Sequence, residues 1–118
     1  MKRKINSDSD SEDENVFKNV QLQENHIYFY GDVNLENAMN LVMIINKLNS
    51  KIQKYDQLFL HIQSNGGTIN DAFAIVDTIL SSPIEITTIV EGCAASAGTL
   101  ISVVGKKRFI RKHAHMLI

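Results

Sequence analysis

The chain has 118 residues, 44% of them hydrophobic, and a formal net charge of −1. That length sets one domain as the natural expectation, and the near-neutral balance gives the whole chain no nucleic-acid footprint. No apolar run approaches the roughly eighteen residues of a membrane helix, and the single cysteine, Cys93, excludes an internal disulfide and fits a reducing, cytoplasmic compartment.

The first residues are basic but lead into no apolar stretch, so they do not form a secretory signal, and the acids that follow argue against a mitochondrial transit peptide. Ser7 to Glu14 is almost wholly Ser, Asp and Glu. Such a stretch cannot bury enough apolar surface to offset the entropy of ordering. Residues 1–23 are therefore expected to be a disordered, acidic, serine-rich arm, whose serines among acids also suit acid-directed kinases. The domain is expected over residues 24–118.

His26 opens the first predicted strand, Ile27-Tyr28-Phe29-Tyr30, which Gly31-Asp32 ends. Asn34 to Leu48 has helical periodicity, with Leu35, Ala38, Met39, Val42, Ile45 and Leu48 at three- and four-residue steps and Asn34 as N-cap. Leu58 to Ile62 reads as a second strand and Ser64-Asn65-Gly66-Gly67 as the turn after it. Thr68 to Leu80 is the second predicted helix. Thr68 and Asp71 form a capping-box-like pair, and Ile69, Ala72, Phe73, Val76, Ile79 and Leu80 form the apolar face. After Pro83, Ile84 to Val90 is β-branched and reads as a third strand. Ser96 to Val104 reads as a third helix, followed by strands at Lys107–Ile110 and His115–Ile118. Strands alternating with helices imply βαβ units and a mainly parallel sheet with right-handed crossovers. Gly66-Gly67 and Ser96 each follow a strand and precede a helix, so both are expected on the ligand-binding rim.

Two features on that rim suggest acyl transfer. A serine fenced by small residues, Gly92-Cys93-Ala94-Ala95-Ser96-Ala97-Gly98, presents a hydroxyl with little cover. Gly67 has no side chain to block a carbonyl oxygen, and its N–H, with that of Ala97, is a candidate oxyanion donor. The spacing is not the Gly-x-Ser-x-Gly elbow, since Ala94 stands two before Ser96. A purely structural reading also fits these residues: a tightly packed helix start with Ser96 bonded to its own backbone, and a glycine turn that is only a turn.

Ser64-Asn65-Gly66-Gly67-Thr68, Ala74-Ile75-Val76-Asp77-Thr78-Ile79, Gly92 to Gly98 and Gly105-Lys106-Lys107-Arg108-Phe109 come in the order, and near the spacing, of the Clp protease proteolytic subunits, which this chain resembles from about Ile27 to Ile118. The resemblance implies a Clp/crotonase-type fold of repeated ββα units. It implies a serine endopeptidase acting on unfolded polypeptide, built as a homo-oligomer of two stacked seven-membered rings and fed by an AAA+ ATPase unfoldase. It places Ser96 as catalytic nucleophile and Gly67 and Ala97 at the oxyanion hole, with no metal and no cofactor. Asn65 stands where the family usually has Pro, Ala97 where it often has Met, and Cys93 where it often has Gln. The family's base histidine follows the two positions that Leu117 and Ile118 match. The expectation is therefore the N-terminal portion of a peptidase domain, with its base beyond the residues present, and inactive alone.

None of the four histidines fits the base position. His113 and His115 would share one face of a strand, but two such residues without nearby cysteines or acids are weak metal ligands. His61 is expected packed or at an edge, and His26 has no evident partner. Two other functions stay open: a non-catalytic Clp-like ring subunit, and a crotonase-type enzyme holding an acyl-CoA thioester, against which the serine motif argues.

Overall fold

The computed structural model describes residues 17–52 and 55–118; the acid-rich stretch from Ser7 to Glu14 lies outside them. Six strands and three helices follow one another as β1 (Val20–Gln23), β2 (His26–Tyr30), α1 (Leu35–Ser50), β3 (Gln57–Ser64), α2 (Ile69–Leu80), β4 (Glu85–Ala95), α3 (Ala97–Ser102), β5 (Lys107–Ile110) and β6 (His115–Leu117). They form one sheet in the order β1-β2-β3-β4-β5, with β6 also on β4. Every pairing is parallel except β1 with β2. The expected α/β class and mainly parallel sheet are found.

Strand β1 falls inside the stretch expected to be an arm. Val20 is fully buried, Val20 to Gln23 pair with Phe29 to His26, and the Asn19 amide donates to the Tyr30 carbonyl at 2.8 Å. Four residues between Asn19 and Glu24 are too short a run for their alternation to stand out. The antiparallel partner makes them a strand, so the ordered chain starts before residue 24.

Alternate residues of β2, β3 and β4 face the core. Ile27 and Phe29, Leu58, Leu60 and Ile62, and Ile86 and Val90 are buried there with Ala38, Leu41, Ile45 and Leu48 of α1, Ala72, Ile75 and Ile79 of α2, and Ile101 of α3. Because the parallel strands are added in one direction, right-handed crossovers put all three helices on the same face. Asn34 caps α1 as expected, its Oδ1 accepting from the Asn37 N–H at 2.8 Å. Thr68 occupies the N-cap of α2 without a side-chain cap bond, so the expected pairing with Asp71 is not formed. The buried face of α2 is also rotated from the expected one. Ile69, Phe73 and Leu80 are exposed, and Ile75 takes the core position. A helix with apolar residues on two stripes leaves its phase to the neighbours it packs on.

The other face of the sheet is aromatic and titratable. The ring of His26 stacks on Phe59 at 4.7 Å between centroids, and Tyr28 stacks on His61 at 4.3 Å. His26 Nδ1 lies 2.9 Å from His61 Nε2, and His61 Nδ1 lies 2.5 Å from Glu91 Oε2. The Tyr30 hydroxyl donates to Glu91 Oε1, and Arg111 stands 3.9 Å from the same carboxylate. Burial favours protonation of Glu91, but the hydrogen bonds from Tyr30 and His61 and the charges of His61 and Arg111 outweigh it and hold the carboxyl below its ordinary value. Burial of its hydroxyl end, then the bond to Glu91 and that group's charge, push the Tyr30 phenol from 10.0 up to about 12, although the residue as a whole is 40% exposed.

Two outcomes follow for stability. Asn34→Ala should lower the unfolding free energy by about 1 kcal/mol in urea denaturation, and Thr68→Ala, which removes no cap bond, by no more than about 0.5 kcal/mol. The Tyr30 phenol is more basic folded than unfolded, so its tie to Glu91 is intact below pH 10 and is lost as pH rises through about 12. Ultraviolet titration of Tyr30→Phe should lack that last phenolate step.

Candidate active site

The site grows from a break in strand register. Strands β3 and β4 run in step to Ile62 against Val90, and their next partners are Ser64 and Ala94. Two steps of β3 thus span four of β4, and the extra length brings the end of β4 alongside the turn that leaves β3. A break of this kind re-aims the chain.

That turn is held on one side by Val33. The Val33 N–H donates to the Gly66 carbonyl at 2.9 Å and the Thr68 N–H to the Val33 carbonyl at 2.8 Å, so Val33 and Gly67 form a parallel bridge. Bridge geometry turns the Gly67 N–H away from Val33. A Cβ on Gly67 would lie 2.1 Å from the Val33 carbonyl oxygen, and the residue sits at φ +152°. Only glycine fits. The buried Ser64 hydroxyl accepts from the Gly66 N–H at 3.1 Å and tightens the turn from within.

Ser96 faces this turn. A Cβ on Gly66 would lie 2.9 Å from the Ser96 Cβ and 2.7 Å from the Ala95 carbonyl oxygen. The structure therefore brings the glycine turn and the serine together at van der Waals distance. Ser96 itself is exposed and adopts φ 54°, ψ −121°, a conformation that crowds the Cβ of an L-residue and costs of order 1–3 kcal/mol. Two backbone bonds hold it there: its N–H donates to the Leu117 carbonyl at 2.9 Å and its carbonyl accepts from the Thr99 N–H at 2.9 Å, while the Thr99 hydroxyl, 2.6 Å from the Leu117 oxygen and 3.0 Å from the Ala94 oxygen, ties those partners together. Strain of this kind, held by its surroundings, clusters at functional sites in proteins generally. Among the described residues no acceptor meets the N–H of Gly67 or of Ala97. Neither amide is committed to a partner there, Gly67 being an exposed residue and Ala97 a buried one.

Helix α3 starts at Ala97 and ends at Ser102, shorter than the expected Ser96–Val104. A single short helix has little dipole, so the individual amides carry the electrostatics. An open cleft of about 430 Å³, lined by Tyr30, Asp32, Asn65 and Cys93, lies beside the glycine turn. Cys93 is half-buried there and pairs with His115 in the ladder.

Among the described residues no histidine is hydrogen-bonded to Ser96. His26 and His61 bond each other. His113 lies in a turn and His115 opens β6, both exposed, so they do not share a strand face. Sequence reasoning names neither Val33, which acts through its backbone alone, nor Thr99, whose three-residue spacing from Ser96 is the only signal.

A family model described as Clp protease matches residues 9–118. The ATP-dependent Clp protease proteolytic subunit 1 of Leifsonia xyli subsp. xyli is 34% identical over 99 residues, covering 82% of this chain and 50% of that protein. The ATP-dependent Clp protease proteolytic subunit of Streptococcus mutans serotype c is likewise 34% identical over 99 residues, with the same coverage of 82% and 50%. Among solved structures, the ClpP protease catalytic domain from Plasmodium falciparum superposes with a TM-score of 0.76 at 29% identity, over 80% of this chain and 55% of that one. ClpP1 from Listeria monocytogenes superposes with a TM-score of 0.73 at 26% identity, over 78% and 54%. The chain spans about half the length of the curated relatives it matches. Strand order, paired turns and a family match that takes in the whole described domain agree: the chain belongs to the Clp protease family.

Proposed function

We propose that this chain supplies the nucleophile and both oxyanion donors of a Clp-type serine endopeptidase. The observation that carries the reading is the strained, exposed Ser96 packed against Gly66, with the free amides of Gly67 and Ala97 on either side. Ser96 Oγ would attack the carbonyl carbon of a peptide, and the two amides would hold the oxyanion of the tetrahedral intermediate. Its proton goes to a base outside the described contacts. β6 supports that route: the Leu117 carbonyl is bonded to the Ser96 N–H at 2.9 Å, so β6 runs past the serine, and in the family pattern the base histidine follows the positions of Leu117 and Ile118.

Assembly and partners belong to the same reading. Leu35, Met39 and Met43 on α1 and Ile69, Phe73 and Leu80 on α2 are exposed, more apolar surface than a lone domain usually presents. This supports a homo-oligomeric ring, the family's stacked heptamers, with an AAA+ unfoldase delivering unfolded polypeptide. No helix among the described residues is long and apolar enough to cross a membrane, and the lone Cys93 suits a reducing, cytoplasmic setting. One observation favours a second reading, a ring subunit that does not hydrolyse peptides: no histidine bonds Ser96 among the described residues.

Fluorophosphonate labelling of the full-length protein separates the two. Labelling that Ser96→Ala abolishes supports the peptidase; no labelling of the wild type, at any ring composition, supports the silent subunit. Gly66→Ala, which drives a methyl group onto Ser96, should slow labelling by about 100-fold, as for a lost oxyanion contact. Ser96→Gly should abolish labelling yet raise unfolding stability by about 1 kcal/mol, since glycine adopts positive φ freely. Phe73→Glu should shift the assembly toward smaller species in sedimentation while leaving the circular dichroism spectrum unchanged.

A further inference from the structure

The His26–His61 contact holds one proton between two nitrogens, and this limits what the pair can bind. Ionised Glu91 can only accept, so His61 Nδ1 carries a hydrogen toward Glu91 Oε2 at 2.5 Å. His61 Nε2 then accepts from His26 Nδ1 at 2.9 Å. A first added proton makes one of the two rings cationic, and a single hydrogen still lies between the facing nitrogens, so every bond stays in place. A second proton makes both rings cationic, and two N–H groups would then face each other across 2.9 Å. The contact cannot survive that state.

The pair sits where the register of the site is decided. His61 lies opposite Ile89, yet its side chain reaches diagonally to Glu91. This is the last side-chain tie between β3 and β4 before the register breaks beyond Ile62 and Val90. Glu91 leads by five residues to Ser96, and His61 by five to Gly66. A slip of β4 against β3 would move Ser96 past a turn that leaves it no spare space. The charged and titratable groups facing the pair are Tyr28 and Tyr30 on β2, Glu91 on β4 and Arg111 after β5; β1, Val-Gln-Leu-Gln, brings none.

We propose that His26, His61 and Glu91 form a one-proton clamp that positions the serine turn against the glycine turn, and that a second proton on the histidine pair opens it. Its consequence for Ser96 rests on the peptidase reading; the clamp itself does not. The open and unfolded states take up a proton that the clamped state excludes, so acidification disfavours the clamped state. His26→Gln removes the exclusion, because its amide can turn an oxygen toward a protonated His61. His26→Asn is a second non-titrating version.

The test uses the full-length protein from pH 8 to 5. The melting temperature of the wild type should fall more steeply with acid than that of either variant. The ratio of wild-type to His26→Gln labelling rates at Ser96 should fall by up to about tenfold per pH unit once the clamp opens, the slope of one excess proton. Parallel melting curves would overturn the clamp. Diverging melting curves with a constant labelling ratio would overturn its positioning role. Labelling that is absent, or that survives Ser96→Ala, would overturn the serine reading instead and leave the melting curves to judge the clamp.

Discussion

A carbon atom added to Gly66 would stand 2.9 Å from the Ser96 Cβ, and one added to Gly67 would stand 2.1 Å from the Val33 carbonyl oxygen. The site depends on this missing volume. Two backbone turns from different strands can approach so closely only where one of them carries no side chain at the point of contact. Once they meet, backbone groups of both turns lie side by side without any polar side chain having to find its rotamer. The rest of the architecture serves that approach. Val33 straps the glycine turn from outside, Ser64 braces it from inside, and the break in register between β3 and β4 feeds four residues against two so that Ser96 arrives opposite it.

The strain at Ser96 is held by backbone partners. A serine at φ 54° would relax if its neighbours allowed. The Leu117 carbonyl takes both the Ser96 N–H and the Thr99 hydroxyl, which ties the turn to a strand far along the sequence. Preorganisation of this kind moves the cost of orienting the side chain from the moment of use to the moment of folding. The cost is met by the core beneath, where Ile62, Ala94, Ala97 and Ile101 are buried together.

Much of this was legible in the sequence. Alternating apolar strands and periodic helices announce a parallel α/β sheet because both periods are strong between His26 and Leu80. The rim position of Gly66-Gly67 and Ser96 follows from that alternation alone. The parts that were not legible share a physical reason. β1 is a strand only because β2 lies beside it, and the phase of α2 is chosen by its packing partners, since Ile69 and Phe73 are as apolar as the Ile75 that is buried. The straps at Val33 and Leu117 are carbonyls and amides, which every residue has. The pairing of His26 with His61 joins positions 35 apart through a parallel ladder, and no local pattern records it.

Strand order in this sheet follows chain order: each of β2 to β5 lies beside the strand made just before it. A chain emerging from the ribosome can therefore add one strand at a time to an existing edge, without waiting for a distant partner. β6 breaks the sequence, returning to the far end of β4, and its Leu117 carbonyl is what fixes the turn at Ser96. The conformation of Ser96 is thus closed last, by the strand synthesised last among those described. A nascent chain of this design carries a loose serine through most of its synthesis and fixes that turn only once the supporting sheet is complete.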